Sequence, residues 1–260
     1  MASIEDARVR RFLNLAAASL LIPASNMTLR LNICYKARPT LDHPVVAHFE
    51  ARATRMLAGY KQVYGSSNVN ASIQLGDART DGPTNAELVF TSPPYPNDME
   101  YVHQTRLELA ILNYVQNPHD LTRLKKQMIS SSVKLVYREN NWQKELGLEA
   151  PDVWAVCEVA AATLEGCNWD WNAADMAAHY FGGMRRVIEN WHCRLRPGGQ
   201  AAVVIGDSAF NGVKVETDRL LAETAELTGM IMEGIEAFRT RWNTKNDIEL
   251  HEAVLLLRRP

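Results

Sequence analysis

The sequence predicts an α/β fold built on a largely parallel sheet. Residues 86–92 (AELVFTS) form a short apolar run that ends at Pro93-Pro94, as a buried strand does. From Ala173 onward, helical periodicity alternates with apolar strands, and the turn within residues 194–199 (RLRPGG) separates one such pair. Helices that alternate with strands are typical of a parallel sheet with helices packed on it.

Helices are predicted ahead of this region. Residues 5–22 begin with charged residues and continue as FLNLAAASLLI, so they predict a helix that ends before Pro23. Residues 44–62 predict a second helix because apolar residues recur at helical spacing, and residues 24–42 predict a loop. We therefore expect an N-terminal helical segment over residues 1–70.

The main region, residues 71–260, begins with strand signals. Residues 71–77 (ASIQLGD) predict a strand, whereas residues 116–172 show no clear period. The remaining predicted elements are, in order, a helix over 100–115, a helix over 174–194, a strand over 200–207, a helix over 215–229, and strands over 230–238 and 249–259.

Composition limits the class of protein. The chain has 260 residues, 47% of them apolar, which suffices for one large domain with a full core. No run of about 18 uncharged apolar residues occurs, and the N-terminus lacks a secretory signal. We therefore expect a cytoplasmic protein without a membrane span. Four cysteines without a C-x-x-C pair and seven histidines without ligand spacing predict neither a disulfide framework nor a metal site.

The distribution of charge leaves two interpretations open. Residues 1–61 carry nine Lys and Arg against four Asp and Glu, and residues 123–144 form a second basic stretch. Either stretch could contact the phosphate backbone of a nucleic acid. A solvated helix face explains each of them almost as well.

The most specific motif is Thr91-Ser92-Pro93-Pro94-Tyr95, which directly follows the apolar run of residues 86–90. In an open α/β sheet, ligands bind outside the carboxyl ends of the strands, so a rigid polar loop at this position is suited to a function. The alternative is a turn that only ends the strand, since Pro-Pro often marks one.

These residue types suit chemistry on an exocyclic amine of a nucleobase. Such an amine is a weak nucleophile, and acceptors that hold its hydrogens direct its lone pair towards an electrophile. The Ser92 hydroxyl and a backbone carbonyl of Pro93-Pro94 are two such acceptors, and the prolines fix the direction of that carbonyl. Tyr95 offers a flat face on which a flipped base can stack. No cysteine follows the prolines, as methylation at cytosine C5 would require.

The motif resembles the catalytic motif of the N4-cytosine and N6-adenine DNA methyltransferases. Residues 91–112 resemble this motif with its following helix, and residues 184–208 and 249–259 resemble later parts of the class I methyltransferase fold. The resemblance implies DNA as the partner, S-adenosylmethionine as the cofactor, and catalytic roles for residues Ser92, Pro93, Pro94 and Tyr95.

The resemblance also implies which residues meet the cofactor. Asp77, with Ala78, corresponds to the end of a strand that contacts the adenine ring of the cofactor, and Thr91 lies beside the catalytic loop. A strand-end turn is the alternative for Asp77. Asp207 either lines the target pocket or closes a turn, and Trp142 either stacks on a displaced base or belongs to the core.

The glycine-rich turn that holds the cofactor in this family, commonly F-x-G-x-G, is missing. None of the 14 glycines forms such a turn between a strand and a helix. The sequence therefore predicts a Rossmann-like methyltransferase sheet without its first and second strands. A second polypeptide that carries the glycine-rich motif, a homo-oligomer, or a truncated chain would each account for the gap.

Serine at position 92, the first residue of the S-P-P-Y part of the motif, favours N4 of cytosine as the target. The alternatives are an N6-adenine DNA methyltransferase and a catalytically inactive DNA-binding subunit. Residues 116–172 are a possible target-recognition insertion.

Overall fold

A computed structural model describes residues 4–29, 33–39, 43–64, 70–97, 99–163, 173–210, 212–243 and 247–260. The chain divides into two compact units. The first comprises Met1–Gln74 and Tyr101–Lys125, and the second comprises Leu75–Glu100 and Lys126–Pro260. No helix within the described ranges is both long and apolar enough to cross a membrane.

The first unit is mainly helical. Its elements are α1 (Ala7–Ala18), β1 (Met27–Leu29), β2 (Ile33–Tyr35), α2 (Val45–Tyr64), α3 (Tyr101–Gln104), α4 (Arg106–Ile111) and most of α5 (Pro118–Gln127). Asp6 begins α1, since its Oδ1 accepts the backbone N–H groups of Arg8 and Val9 at 2.7 and 3.3 Å. The two N-terminal helices lie where the sequence predicts them. The predicted loop 24–42 contains the β1–β2 hairpin, and the predicted helix 100–115 is interrupted at Thr105.

The second unit is α/β. Its strands are β3 (Ala86–Thr91), β4 (Leu195–Gly206), β5 (Ser208–Phe210), β6 (Val213–Val215), β7 (Ile231–Asn243) and β8 (Ile248–Arg258). Its helices are α6 (Asn141–Leu148), α7 (Pro151–Ala162), α8 (Ala173–Arg194) and α9 (Thr217–Glu226), with two 3-10 turns at Val133–Leu135 and Arg138–Asn140.

The main sheet is mixed, with strand order β3-β4-β8-β7. β3 pairs with β4 in parallel, whereas β8 is antiparallel to both of its neighbours, β4 and β7. The prediction of a largely parallel sheet is therefore wrong for the pairing of strands. β7 and β8 follow each other as a hairpin, which makes them antiparallel, and β8 then lies between β7 and β4. The prediction of an α/β class is confirmed, with a mixed sheet in place of a parallel one.

The strand predicted over residues 71–77 is also wrong. These residues have no regular secondary structure, and the side chains of Ile73 and Leu75 are almost fully exposed. A strand requires a neighbour for its backbone groups. Among the described residues, β4 is the only strand that pairs with β3, and the other edge of β3 has no partner.

One face of the main sheet is covered by helices. The buried core joins side chains of β4 and β8 to side chains of α8 and α9, among them Ala201, Val203, Ile205, Leu255, Leu257, Met184, Ile188, Leu221 and Ala225. Leu88 and Phe90 of β3 lie on the opposite face and are 57% and 73% exposed. The second unit thus has a closed face and an open one.

Candidate active site

The predicted catalytic loop follows β3 directly. β3 ends at Thr91, which is paired with Val203 of β4. Ser92 is exposed, and Pro93, Pro94 and Tyr95 are half-buried. Because β3 and β4 are parallel, the loop lies at the carboxyl ends of both strands, as the sequence predicts.

Tyr95 packs against the last residue of β4. A Cβ atom placed on Gly206 would lie 2.8 Å from Cε2 of Tyr95, so the ring occupies the space that any larger residue would need. The loop is fastened further along as well. The Ser208 hydroxyl donates to the Pro96 carbonyl, and the Asn97 side chain donates to the Ala209 carbonyl at 3.0 Å. The segment after β4 therefore fixes the position of the loop.

A pocket of about 190 Å³ opens beside this loop. Three parts of the second unit line it: the catalytic loop, the segment after β4, and the β7–β8 hairpin. The lining residues are Tyr95, Pro96, Asn97, Asp207, Ser208, Ala209, Arg241, Asn243 and Leu250. The lining is mostly polar, and one aromatic ring contributes to it. This combination suits a small planar ring that carries hydrogen-bonding groups.

Asp207 both lines the pocket and anchors the hairpin. Its Oδ2 accepts the backbone N–H of His251 and lies close to Lys214 Nζ, both at 3.1 Å. Its own backbone N–H donates to the His251 carbonyl at 2.8 Å. The carboxylate is almost completely buried and paired with a cation, so its main task is to hold β8 against the end of β4.

Asp77 and Ala78 lie elsewhere, in a turn ahead of β3. The Asp77 carboxylate binds Arg79, with Nη2 to Oδ2 at 2.7 Å, and this hydrogen bond holds the pKa of Asp77 below its usual value. The Ala78 carbonyl accepts a hydrogen bond from the Asn190 side chain on α8 at 3.0 Å. The six residues of β3 separate this turn from the catalytic loop, a length of about 20 Å. The structure brings Thr91 to the loop and leaves Asp77 and Ala78 at the other end of the strand.

The turn borders a second, wider pocket of about 560 Å³. Arg79, Trp142 and Arg186 are among its lining residues, and the Arg186 guanidinium lies 5.7 Å from the centre of the Trp142 ring. Trp142 is therefore a partly exposed residue with a cation on its face, and it does not belong to the core.

The predicted cofactor residues are not brought together. The Asp77 carboxylate accepts a hydrogen bond from Arg79. Of the predicted cofactor residues, only Thr91 lies at the pocket end of β3. In the described part of the chain, no group of three or more His, Cys, Asp or Glu side chains is arranged to hold a metal ion.

Sequence analysis missed the contribution of the β7–β8 hairpin. Arg241, Asn243 and Leu250 carry no local motif, and only the pairing of β8 with β4 brings them to the catalytic loop. Asp207, which directly follows an apolar strand, was the one signal on this side of the pocket.

Comparisons with known proteins show similarity to methyltransferases. No family model matches the chain. The chain is 26% identical over 171 residues to the Type II methyltransferase M.AvaI, both from Nostoc sp. (strain PCC 7120) and from Anabaena variabilis. The match covers 64% of this chain and 35% of those proteins, so the chain spans about a third of their length.

A solved structure gives a weaker likeness. It is TTHA0409 of Thermus thermophilus, a protein assigned provisionally to the DNA modification methylases. The two chains share 20% identity with a TM-score of 0.25, over 31% of this chain and 37% of that one.

Proposed function

We propose that this chain carries the catalytic loop of an S-adenosylmethionine-dependent DNA methyltransferase that acts on N4 of cytosine. One observation carries the proposal: the Thr91–Tyr95 loop is held at the carboxyl end of β3, beside a pocket into which Tyr95 faces. The sequence similarity to M.AvaI, named a Type II methyltransferase, supports methyl transfer as the reaction and DNA modification as its setting.

The residues of the loop have separate tasks. A target base that leaves the double helix stacks on the Tyr95 ring. The Ser92 hydroxyl and a carbonyl of the Pro93-Pro94 segment accept the two hydrogens of its amine. These acceptors turn the nitrogen lone pair out of the plane of the base, towards the methyl donor. Ser92 is exposed, as a group that meets a substrate must be.

The catalytic role of the loop is tested by Ser92→Ala. We expect methyl transfer to DNA to fall by roughly 10²-fold or more while DNA binding is retained, because the lost hydrogen bond matters mainly in the transition state. Thr84→Ala, which removes an exposed hydroxyl ahead of β3, is the matched control. Wild-type rates in the Ser92 variant would contradict the catalytic role of the loop.

The target base is tested by mass spectrometry of nucleosides from methylated DNA. N4-methylcytosine is expected because serine, at Ser92, is the first residue of the S-P-P-Y part of the motif. N6-methyladenine alone would keep the mechanism and change the base. 5-Methylcytosine would contradict the mechanism, since that reaction requires a cysteine nucleophile.

We further propose that a second polypeptide completes the sheet and the cofactor site. Within the described ranges, the edge of β3 that faces away from β4 pairs with no strand, so its backbone N–H and C=O groups are available for another strand. Leu88 and Phe90, exposed beside this edge, offer apolar surface for that polypeptide to cover. Two strands added there, the first of them followed by a glycine-rich turn and a helix, would supply the first two strands of a Rossmann-like methyltransferase sheet. Thr91, at the carboxyl end of β3, would then contribute to the cofactor site from this chain.

Titration calorimetry tests this completion. The chain alone should bind S-adenosylmethionine weakly, and addition of a polypeptide that contains F-x-G-x-G should produce tight binding. Phe90→Ser should weaken the association of the two polypeptides without affecting the fold, because Phe90 is exposed in the chain alone. A dimer of this chain that binds the cofactor would show that a second copy of the chain, and not a different polypeptide, completes the site. Tight binding by the monomeric chain would contradict the proposal.

A further inference from the structure

The β7–β8 hairpin contributes one cation to the pocket beside Tyr95. This residue is Arg241 on β7, which pairs across the hairpin with Leu250. Its Nη2 lies 3.0 Å from the point where a Cβ atom on Gly206 would stand, and the Tyr95 ring approaches the same point to 2.8 Å. The guanidinium and the aromatic ring are therefore neighbours above the backbone of Gly206.

Glu252 forms an ion pair with the guanidinium. Its Oε1 lies 3.2 Å from Nε of Arg241, and its side chain is mostly buried. In the described part of the chain, neither Nη1 nor Nη2 of Arg241 donates a hydrogen bond to protein. Nε is buried and makes no hydrogen bond to the described residues, so its contact with Glu252 is an ion pair alone. The fork of terminal N–H groups remains available to a ligand in the pocket.

The available donors match one edge of cytosine. Beyond its amine, cytosine presents two acceptors on the Watson–Crick edge, N3 and O2. Adenine presents only one, N1, and carries a C–H group where cytosine has O2. Arginine has five N–H donors in a rigid fork and no acceptor, so it can satisfy two adjacent acceptors and cannot pair with a donor.

We propose that Arg241 recognises the flipped target base by donating its Nη hydrogens to O2 and N3 of a cytosine stacked on Tyr95. The inference rests on the proposed function and extends it from the reacting amine to the choice of base. The amine end of the base meets the Ser92 loop, and the carbonyl end meets Arg241. Adenine would leave one donor of the guanidinium unpaired in the pocket, which disfavours its binding.

A purely structural role for Arg241 makes a different prediction, and Arg239 allows the two to be separated. Arg239 Nη1 lies 3.4 Å from Oε2 of the same Glu252, on the same strand, but its side chain is 62% exposed and it does not line the pocket. Loss of either arginine removes the same charge and one ion pair to Glu252. Arg241 alone stands beside Tyr95.

The test measures binding of single-stranded oligonucleotides to the full chain without any cofactor. Fluorescence anisotropy would compare oligo(dC), oligo(dA) and oligo(dT) on wild type, Arg241→Met, Arg241→Lys and Arg239→Met. Oligo(dT) tests the contact with N3 separately, since thymine keeps the acceptor O2 but presents a donor at N3. We expect the wild type to prefer oligo(dC) by roughly tenfold.

The variants should divide into two groups. Arg241→Met and Arg241→Lys should lose the preference, because neither retains the fork of donors. Arg239→Met should bind all three oligonucleotides more weakly by a similar factor and keep the preference, because it loses only a charge near phosphates. Absence of a preference in the wild type, or equal loss of it in the Arg239 variant, would overturn the assignment.

The outcome is independent of methyl transfer. If Arg241→Met abolishes the preference while Ser92→Ala leaves methylation of DNA unchanged, the base-recognition site stands and the proposed catalytic loop fails. The reverse result would retain the loop and remove Arg241 from the site.

Discussion

Strands β4 and β3 lie side by side in one sheet and are both apolar, yet their surroundings differ. β4 is paired along both edges, and its Val203 and Ile205 are fully buried under helices. β3 is paired along one edge within the described residues, and its Leu88 and Phe90 remain exposed on the other face. Burial of a large apolar side chain contributes about 1.5–3 kcal/mol, so β3 leaves a considerable favourable term unused.

This difference divides the candidate site as well. The loop after β3 obtains its contacts from the β4 side, through Gly206, Ser208 and Ala209. The candidate pocket is therefore formed on the β4 side of the loop. The other side of the loop faces the open edge of β3, where the proposed cofactor site requires further strands.

A substitution at Gly182 is the most severe test of how closely α6 packs on α8. A Cβ atom on this residue of α8 would lie 1.6 Å from the Gln143 carbonyl oxygen on α6, and backbone cannot move as a flexible side chain does. Gly182→Ala should separate the two helices and lower the free energy of unfolding by roughly 3 kcal/mol or more. Gly59→Ala on α2, where nothing lies within 4 Å, is the matched control. It should leave stability unchanged or raise it by up to about 1 kcal/mol in urea denaturation. Equal stability of the two variants would contradict the close packing of α6 on α8.

Leu255 and Leu88 compare the two faces of the sheet directly. Leu255 on β8 is fully buried, whereas Leu88 on β3 is 57% exposed. Leu255→Ala should cost about 2–5 kcal/mol of unfolding free energy, because it removes apolar contacts and leaves a cavity. Leu88→Ala should cost within about 0.5 kcal/mol for the chain alone. A large loss of unfolding free energy in Leu88→Ala would mean that another chain covers the open face in solution. Sedimentation analysis would then give the number of chains in that assembly.

The sequence predicts the closed part of the fold well. The helix over 174–194 and the strand over 200–207 lie close to α8 and β4, because their apolar patterns are local signals. The turn predicted at Pro197-Gly198-Gly199 is instead part of β4, which begins at Leu195, and the pairing with β3 shifts register there. α7 was missed, since Val153, Trp154, Val156, Cys157 and Val159 leave no polar face that would mark a helical period.

The failures concern interactions that are not local. Residues 71–77 alternate as a strand does, but pairing decides whether such a segment becomes one. The antiparallel position of β8 depends on which strand the β7–β8 hairpin joins, and the sequence of either strand does not specify this. Arg241 reaches the catalytic loop only as a consequence of that arrangement.

A substitution at Gly206 tests whether the end of β4 positions the loop that follows β3. Gly206→Ala places a methyl group 2.8 Å from Cε2 of Tyr95, so the ring must move away from the pocket. We expect binding of oligo(dC) to weaken by roughly tenfold, as for the loss of one stacked base, with little change in unfolding free energy. Gly234→Ala on β7, which meets no atom within 4 Å, is the control for a strand glycine. Unchanged binding in the Gly206 variant would show that Tyr95 does not hold the base.

Two cysteines of the second unit, Cys157 and Cys193, allow a buried position to be compared with an exposed one. Cys157 of α7 is buried, and its Sγ donates to the Ala174 carbonyl at 3.3 Å, whereas Cys193 of α8 is exposed. Burial raises the pKa of Cys157 from 9.0 to about 11. Since the thiolate is the reactive form, iodoacetamide at pH 8 should label Cys193 and leave Cys157 unmodified until the chain unfolds. Mass spectrometry of labelled peptides measures both sites, and labelling of native Cys157 would contradict its burial.

The same shift in the pKa of Cys157 determines how stability depends on pH. The folded state keeps the proton up to about pH 11, while the unfolded chain releases it near pH 9. The stabilisation from the buried thiol is therefore fully present below pH 9 and is lost as the pH rises towards 11. Cys157→Ala lacks this term, so its unfolding free energy should fall less steeply than that of the wild type between pH 9 and 11. Other groups titrate in that range in both proteins, and the difference between the two slopes isolates Cys157. Parallel slopes in urea denaturation would show that the thiol ionises equally well in the folded chain.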